Sequence, residues 1–223
     1  MFFDFHVHGN EKLAKEAKRL GYDGICIVCY SDEYHQDRDS IRKNSGIKSG
    51  IEIIAENPDD LKKKIQKFRR RADILMVHGG NIKINRTACE DPRIDIIIHP
   101  YRNRRDCGIN HVLAKEAAKN AVAVEININY ILKSRSSLRS KVLSQFMQIL
   151  KLQRKFKFPL IITSGAHSIY DLRTPRDIIA LTSCFGMTEE EANDGLSKTP
   201  ITIIKKSKMR KDLIVSGVRI IRG

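Results

Sequence analysis

Tryptophan is absent from this 223-residue chain, and aromatic residues of every kind make up only 6% of it. That scarcity excludes a base-stacking platform of the RNA-recognition-motif kind, whose signature is also missing. No uninterrupted apolar run approaches the ~18 residues that span a bilayer. The opening Met1-Phe2-Phe3-Asp4 has neither the basic nor the apolar region of a signal peptide. A soluble, untargeted, cytoplasmic chain with no membrane partner is therefore expected. Cysteines number five, an odd count, which argues against a secreted disulfide framework. Cys26 and Cys29 sit at i and i+3 of a strand-like run and face opposite ways, so buried free thiols in a reducing compartment are expected.

Acidic residues are also in short supply. Lys and Arg total 41 against 26 for Asp and Glu, a net charge of +15. Between Glu125 and Asp171 there is no acidic residue, while Lys133, Arg135, Arg139, Lys141, Lys151, Arg154, Lys155 and Lys157 all fall there. Uncompensated positive charge destabilises a compact fold by self-repulsion unless a polyanion offsets it. The expected partner is nucleic acid before membrane, because no Trp- and Phe-rich amphipathic segment is present.

Hydrophobic residues, 41% of the chain, fall into short Ile- and Val-rich runs separated by helical patterns. The strand candidates are Phe2–Phe5, Ile25–Cys29, Ile51–Ile54, Ile74–Val77, Ile94–Ile98, Val122–Ile128 and Leu160–Thr163, near-continuously apolar as strands buried on both faces should be. Between them, Asn10 can cap a helix over 11–20, Asn57-Pro58 opens a second, and Asn110 opens 111–119. Thr174-Pro175 starts another, and Thr188 with Glu191 forms a capping box. Ser136 to Phe156 reads as a helix burying Leu138, Val142, Phe146, Ile149 and Leu150. About seven strand–helix alternations predict a single α/β domain, a TIM-like (β/α) barrel of parallel strands ringed by helices. The barrel is expected over 1–206, with 207–223 a basic and apolar tail that adds a strand or docks a partner.

Function in such a barrel sits at the C-terminal ends of its strands. His6 and His8 end the first strand, and an i, i+2 pair on an extended chain shares a face. His78, His99 and His167 follow the fourth, fifth and seventh. Glu52 lies on the third, and Glu125, Asn127 and Asn129 on the sixth. Five of the seven histidines thus fall on one rim, which marks a polar site or the descendant of one.

Asp4-x-His6-x-His8, Glu52, His78, His99-Pro100 and His167 resemble the polymerase-and-histidinol-phosphatase barrel family, whose members bind metal ions on this rim and hydrolyse phosphoesters. Two positions depart from it. Cys29-Tyr30-Ser31-Asp32 stands where that family has Thr-Asp-His, and Gly165-Ala166-His167 where it has Asp-x-His. The resemblance therefore implies a degenerate site of Asp4, His6, His8, Glu52, His78, His99 and His167, able to keep one weakly held divalent ion at most. A second resemblance covers nearly the whole chain. "HGGNIKINRTACE", "DIIIHPYRNRRDCGINHVLAKEAAKNAVAVEININYIL" and "PLIITSGAHSIYDLRTPRDIIALTSCFGM" resemble the archaeal ribonuclease P protein component 3 family, counterpart of the eukaryotic thirty-kilodalton subunit. That implies a subunit binding the catalytic RNA and supporting removal of the 5′ leader from precursor tRNA. The RNA carries the chemistry and requires Mg²⁺, the chain has no catalytic residue or tightly bound cofactor, and other protein subunits, one of them small, are partners. The alternative is a stand-alone metal-dependent phosphoesterase.

Arginine suits bidentate phosphate recognition, and the loops after the strands are rich in it. The candidate RNA-binding residues are Arg86, Arg102, Arg104, Arg105, His111, Lys133, Arg135, Arg139, Arg173 and Arg176.

Overall fold

The computed structural model describes residues 1–34, 47–211, 213–215 and 218–219. Seven parallel strands form one sheet in sequence order: β1 (Phe3–Val7), β2 (Gly24–Tyr30), β3 (Ile47–Ile53), β4 (Ile74–His78), β5 (Ile96–Ile98), β6 (Ala123–Asn127) and β7 (Leu160–Thr163). A bridge between Val7 and Ala166, with His8 N–H donating to Ala166 O at 2.8 Å, joins the first and last strands and closes the barrel.

Alternation along the strands sorts the apolar side chains into two cores. Phe5, Cys26, Val28, Ile74, Met76, Ile96, Ile98, Ala123 and Ile161 fill the barrel interior. Their neighbours in sequence pack between sheet and helices, together with helix residues such as Leu61, Ile65, Leu113 and Phe146. Cys26 belongs to the inner core and Cys29 to the outer one, as their spacing requires. Cys26 and Cys29 are buried thiols outside any disulfide, as expected, as are Cys89 and Cys107, while Cys184 is exposed. It lies in a 3₁₀ turn, Ser183–Phe185, at the molecular surface.

The helices are α1 (Glu11–Arg19), α2 (Pro58–Phe68), α3 (Ile82–Glu90), α4 (His111–Lys119), α5 (Ile128–Lys133), α6 (Ser136–Phe156), α7 (Pro175–Thr182), α8 (Glu189–Leu196) and α9 (Lys198–Lys211). Asn10, Asn57, Asn81 and Asn110 each accept a backbone N–H in the first turn, which satisfies donors that a helix start leaves unpaired. Thr188 and Glu191 form the reciprocal capping box.

Helix α9 closes the N-terminal end of the barrel. Its Ile203 enters the inner core. Lys206 Nζ donates to Asn120 O at 2.9 Å and Ala121 O at 2.8 Å, and Ser207 Oγ donates to Asp73 O. Arg210 and Arg69 converge on the fully buried Asp95. The helix runs unbroken across the boundary expected at 206/207. Beyond it, Leu213–Val215 and Val218–Arg219 pair with each other, apart from the barrel sheet. The side chains from 211 onward lie outside the described residues.

A candidate site at the barrel mouth

The bend that aims the histidines is a bulge in β1. Asp4 pairs with Ile25 and Val7 with Ile27, so three steps of β1 oppose two of β2. An extra residue of this kind re-aims the side chains that follow it. Phe5 packs in the inner core, and His6, the next residue, reaches the barrel axis as well. There His6 Nδ1 lies 2.5 Å from Glu125 Oε1, and His6 Nε2 lies 3.0 Å from His8 Nε2 and 3.5 Å from Glu52 Oε2.

Two carboxylates hold this cluster together. Glu52 binds His78 Nδ1 through Oε1 and stands 3.2 Å from His8 Nε2 through Oε2. Glu125 accepts from Thr163 Oγ1 at 2.6 Å and from the backbone N–H of His99 at 3.1 Å. That second bond secures a left-handed residue: His99 has φ of 51° and turns the chain sharply out of β5. Burial pushes both carboxyls up, yet the surrounding imidazoles outweigh it and hold both well below the usual range. Burial likewise pushes His6 down, but Glu125 and then Glu52 raise it to about 10. The two carboxylates therefore favour the imidazolium form of His6, with Nδ1–H facing Glu125 and Nε2 facing His8 and Glu52. His99, desolvated, is pushed down instead.

His78 is committed on both sides. Its Nδ1–H faces Glu52, and its Nε2 lone pair accepts from Arg102 at 2.7 Å. An unbroken polar chain thus runs from the exposed Arg102 through His78, Glu52 and His6 to Glu125. His8 stacks between Tyr30, at 4.7 Å, and the exposed His167, at 4.5 Å. Partial burial and then His8 and His6 push His167 down.

The donor set fits one divalent ion. His6 Nε2, His8 Nε2 and Glu52 Oε2 form a triangle with edges of 3.0, 3.2 and 3.5 Å. A tetrahedron with metal–ligand bonds of about 2.0 Å has edges of about 3.3 Å. Glu52 Oε2 and His99 Nδ1 are buried without a hydrogen bond, although His99 Nδ1 lies 3.1 Å from Glu125 Oε2, off the bonding direction. Among the described residues, His6 with His99 and Glu125 is the second group whose donors converge, and it shares His6 with the first.

Asp4 does not join these donors. It is buried and accepts from the backbone N–H of Ser164 and of His6 at 3.2 and 3.3 Å, stitching β1 to the loop after β7. Desolvation raises it to about 6. Gly165 leaves no room for a longer side chain: its φ is +61°, and a Cβ there would come within 2.1 Å of Asn127 Nδ2. Ser31 is buried and bonds Asp32. Glu125 carries more of the cluster than its place on β6 suggested. The inward register shared with Ala123 could have ranked it beside Glu52.

Above the histidines the mouth opens as a cavity of about 430 Å³, walled by Tyr30, Tyr130, Leu138, Arg102 and Lys133. Leu138 is 53% exposed, not buried as the helical spacing predicts. The first turn of α6 overhangs the mouth, and the helix meets the core only from Val142 onward. The other cations vary in freedom. Arg105, Arg135 and Arg176 are exposed, as is His111 at the start of α4. Arg139 donates to Ser134 O, and Arg173 to Tyr170 O and Leu172 O. Arg104 is clamped by Asp106 at 2.6 and 2.8 Å, and Arg86 pairs with Glu90 at 2.8 Å. The stretch without acids is partly compensated from outside it, since Lys133 meets Asp171 and Arg154 meets Glu191.

The chain is similar to known proteins over its whole length. The chain is 47% identical to ribonuclease P protein component 3 of Methanothermobacter thermautotrophicus, over 99% of this chain and 95% of that one. It is 38% identical to the protein of the same name from Methanosarcina mazei, over 100% and 96%. A chain of archaeal ribonuclease P bound to mature tRNA, seen by cryo-electron microscopy, superposes with a TM-score of 0.86 at 30% identity, covering 99% of this chain and 98% of that one. Histidinol phosphate phosphatase from Lactococcus lactis shares the fold alone, with a TM-score of 0.53 at 16% identity over 92% and 93% of the two chains. The family model described as RNase P subunit p30 matches residues 1–212, and the chain belongs to that family of ribonuclease P protein subunits.

Proposed function

We propose that this subunit binds the catalytic RNA of ribonuclease P through the cationic loops around its barrel mouth and supports removal of the 5′ leader from precursor tRNA. The observation that carries this reading is the near-complete superposition on a chain of an archaeal ribonuclease P that holds tRNA. The exposed Arg102, Arg105, Arg135, Arg139 and Arg176 give phosphates a place to bind on the same side of the barrel. The RNA supplies the chemistry with its own Mg²⁺, and further protein subunits, a small one among them, complete the particle. That work belongs in the cytoplasm, where the free thiols stay reduced. Among the described residues no helix is long and apolar enough to cross a membrane.

A divalent ion, when bound, would be held by His6, His8 and Glu52 and would neutralise the buried carboxylates in place of the His6 proton. The stand-alone phosphoesterase is not favoured, because Arg102 takes the lone pair of His78 and Asn127 fills the space beside Gly165. Two measurements test the proposal. Precursor-tRNA cleavage by the RNA and the other subunits, with and without this chain, should require it for full activity. Elemental analysis of the purified chain should find no more than one zinc- or manganese-type ion. Cleavage indifferent to the chain would refute the proposal, and two or three tightly bound equivalents would restore the phosphoesterase.

A further inference from the structure

Phosphate contacts on the outer loops and at Arg102 leave the aromatic and apolar wall of the mouth unused. Its wall combines features that neither a metal ion nor an RNA backbone needs. Leu138 is an exposed aliphatic side chain in an otherwise polar and basic helix turn. Tyr30 and Tyr130, both partly exposed, line the same cavity. Arg102 and Lys133 stand at the same opening. A cavity of about 430 Å³ falls within the ~300–1,000 Å³ of small-ligand sites and is far too small for a duplex. An unpaired nucleotide offers what this wall complements: a flat base to lie on rings and apolar groups, and a phosphodiester to meet cations.

We propose that the mouth takes one unpaired nucleotide of the partner RNA, its base against Tyr130 and Leu138 and its phosphodiester at Arg102 and Lys133. This rests on the reading of the chain as an RNA-binding subunit and adds a base contact to it. The rings are already set. Tyr130 is held edge-on by Tyr101 at 5.2 Å and tilted against His99 at 5.1 Å, and Tyr30 lies on His8. A ring fixed before binding loses little freedom when the base arrives. Lys133 is 59% exposed in its contact with Asp171, so its ammonium can turn to a phosphate at small cost.

The test is a series of binding titrations of the full chain with in vitro transcribed ribonuclease P RNA, over a range of salt concentrations. Tyr130→Ala, Tyr130→Phe and Leu138→Gln alter no charge, so the number of phosphate contacts is unchanged. Tyr130→Ala and Leu138→Gln should weaken binding by about tenfold at an unaltered salt slope, while Tyr130→Phe stays near wild type. Because Leu138 is exposed, its variant keeps the test decisive even where Tyr130→Ala fails to fold. Ultraviolet cross-linking of the wild-type complex should join one nucleotide to Tyr30 or Tyr130. Undiminished affinity in Leu138→Gln, a weakening that also flattens the salt slope, or cross-links confined to the outer loops would each overturn the proposal. Wild-type chain that fails to bind the RNA at all would overturn the underlying reading with it.

Discussion

His6 carries the charge balance of the buried cluster, and its position makes it a stability residue before anything else. Glu52 and Glu125 are both about 1% exposed or less, and His6 is the cation between them. Removing one member of a buried ion pair costs about 3–5 kcal/mol, because the partner charge is left in a low-dielectric interior. His6→Gln should therefore lower the unfolding free energy by about that amount in urea titrations. A loss below about 1 kcal/mol would mean that the carboxylates find another counter-charge. His8 and His167, at the mouth, are the residues to change when chemistry is the question. The histidine pattern was legible in the sequence because strand ends are short and apolar, and the spacing of His6 and His8 is local. The inward turn of His6 directly after the inward Phe5 was not, because it depends on the bulge in β1, which exchanges which neighbour faces the axis. No one-dimensional pattern marks that bulge.

Capped helices and buried parallel strands write their boundaries in single residues, so Asn57-Pro58, Asn110 and the Thr188–Glu191 box could be read directly. Leu138 shows where such reading stops. Helical periodicity reports which face a residue occupies but not whether the core extends beneath that turn, and here the first turn of α6 overhangs the mouth. Helix α9 is a second case: its basic residues look like a frayed end, yet Lys206 is tied to backbone carbonyls and Arg210 to Asp95 under the barrel. Burial and then the neighbouring Arg210 push Lys206 down to about 8 from 10.5. Between those values the unfolded chain holds a proton that the folded one has lost, so this residue's contribution to stability rises with pH. Against Lys206→Met, the wild type should gain stability as pH rises from about 8 to 10.5, measured by urea unfolding at each pH. A constant difference would show that Lys206 keeps its proton beneath the barrel.

Across the whole molecule the excess of +15 makes RNA affinity a salt-dependent quantity, with each neutralised phosphate contributing roughly −0.7 to −0.9 to the slope of log K against log salt. Not every arginine on the mouth side counts equally. Arg105 is exposed, whereas Arg104 is clamped in a two-bond pair with Asp106. Arg105→Ala should flatten the slope by about one phosphate and Arg104→Ala by less, in filter-binding titrations over a salt series. The reverse order would mean that RNA displaces Asp106 from Arg104. The histidines at the mouth, by contrast, should be dispensable to the reaction. The most direct test is leader cleavage of precursor tRNA by reconstituted ribonuclease P carrying His8→Gln with His167→Gln, titrated with Mg²⁺ beside the wild type. Cleavage within about twofold of wild type at every Mg²⁺ concentration is the result expected of a subunit that binds while the RNA reacts. A folded, RNA-bound double variant slowed by about 10²-fold or more, the loss typical of a missing proton-transfer group, would contradict it and place chemistry in this barrel.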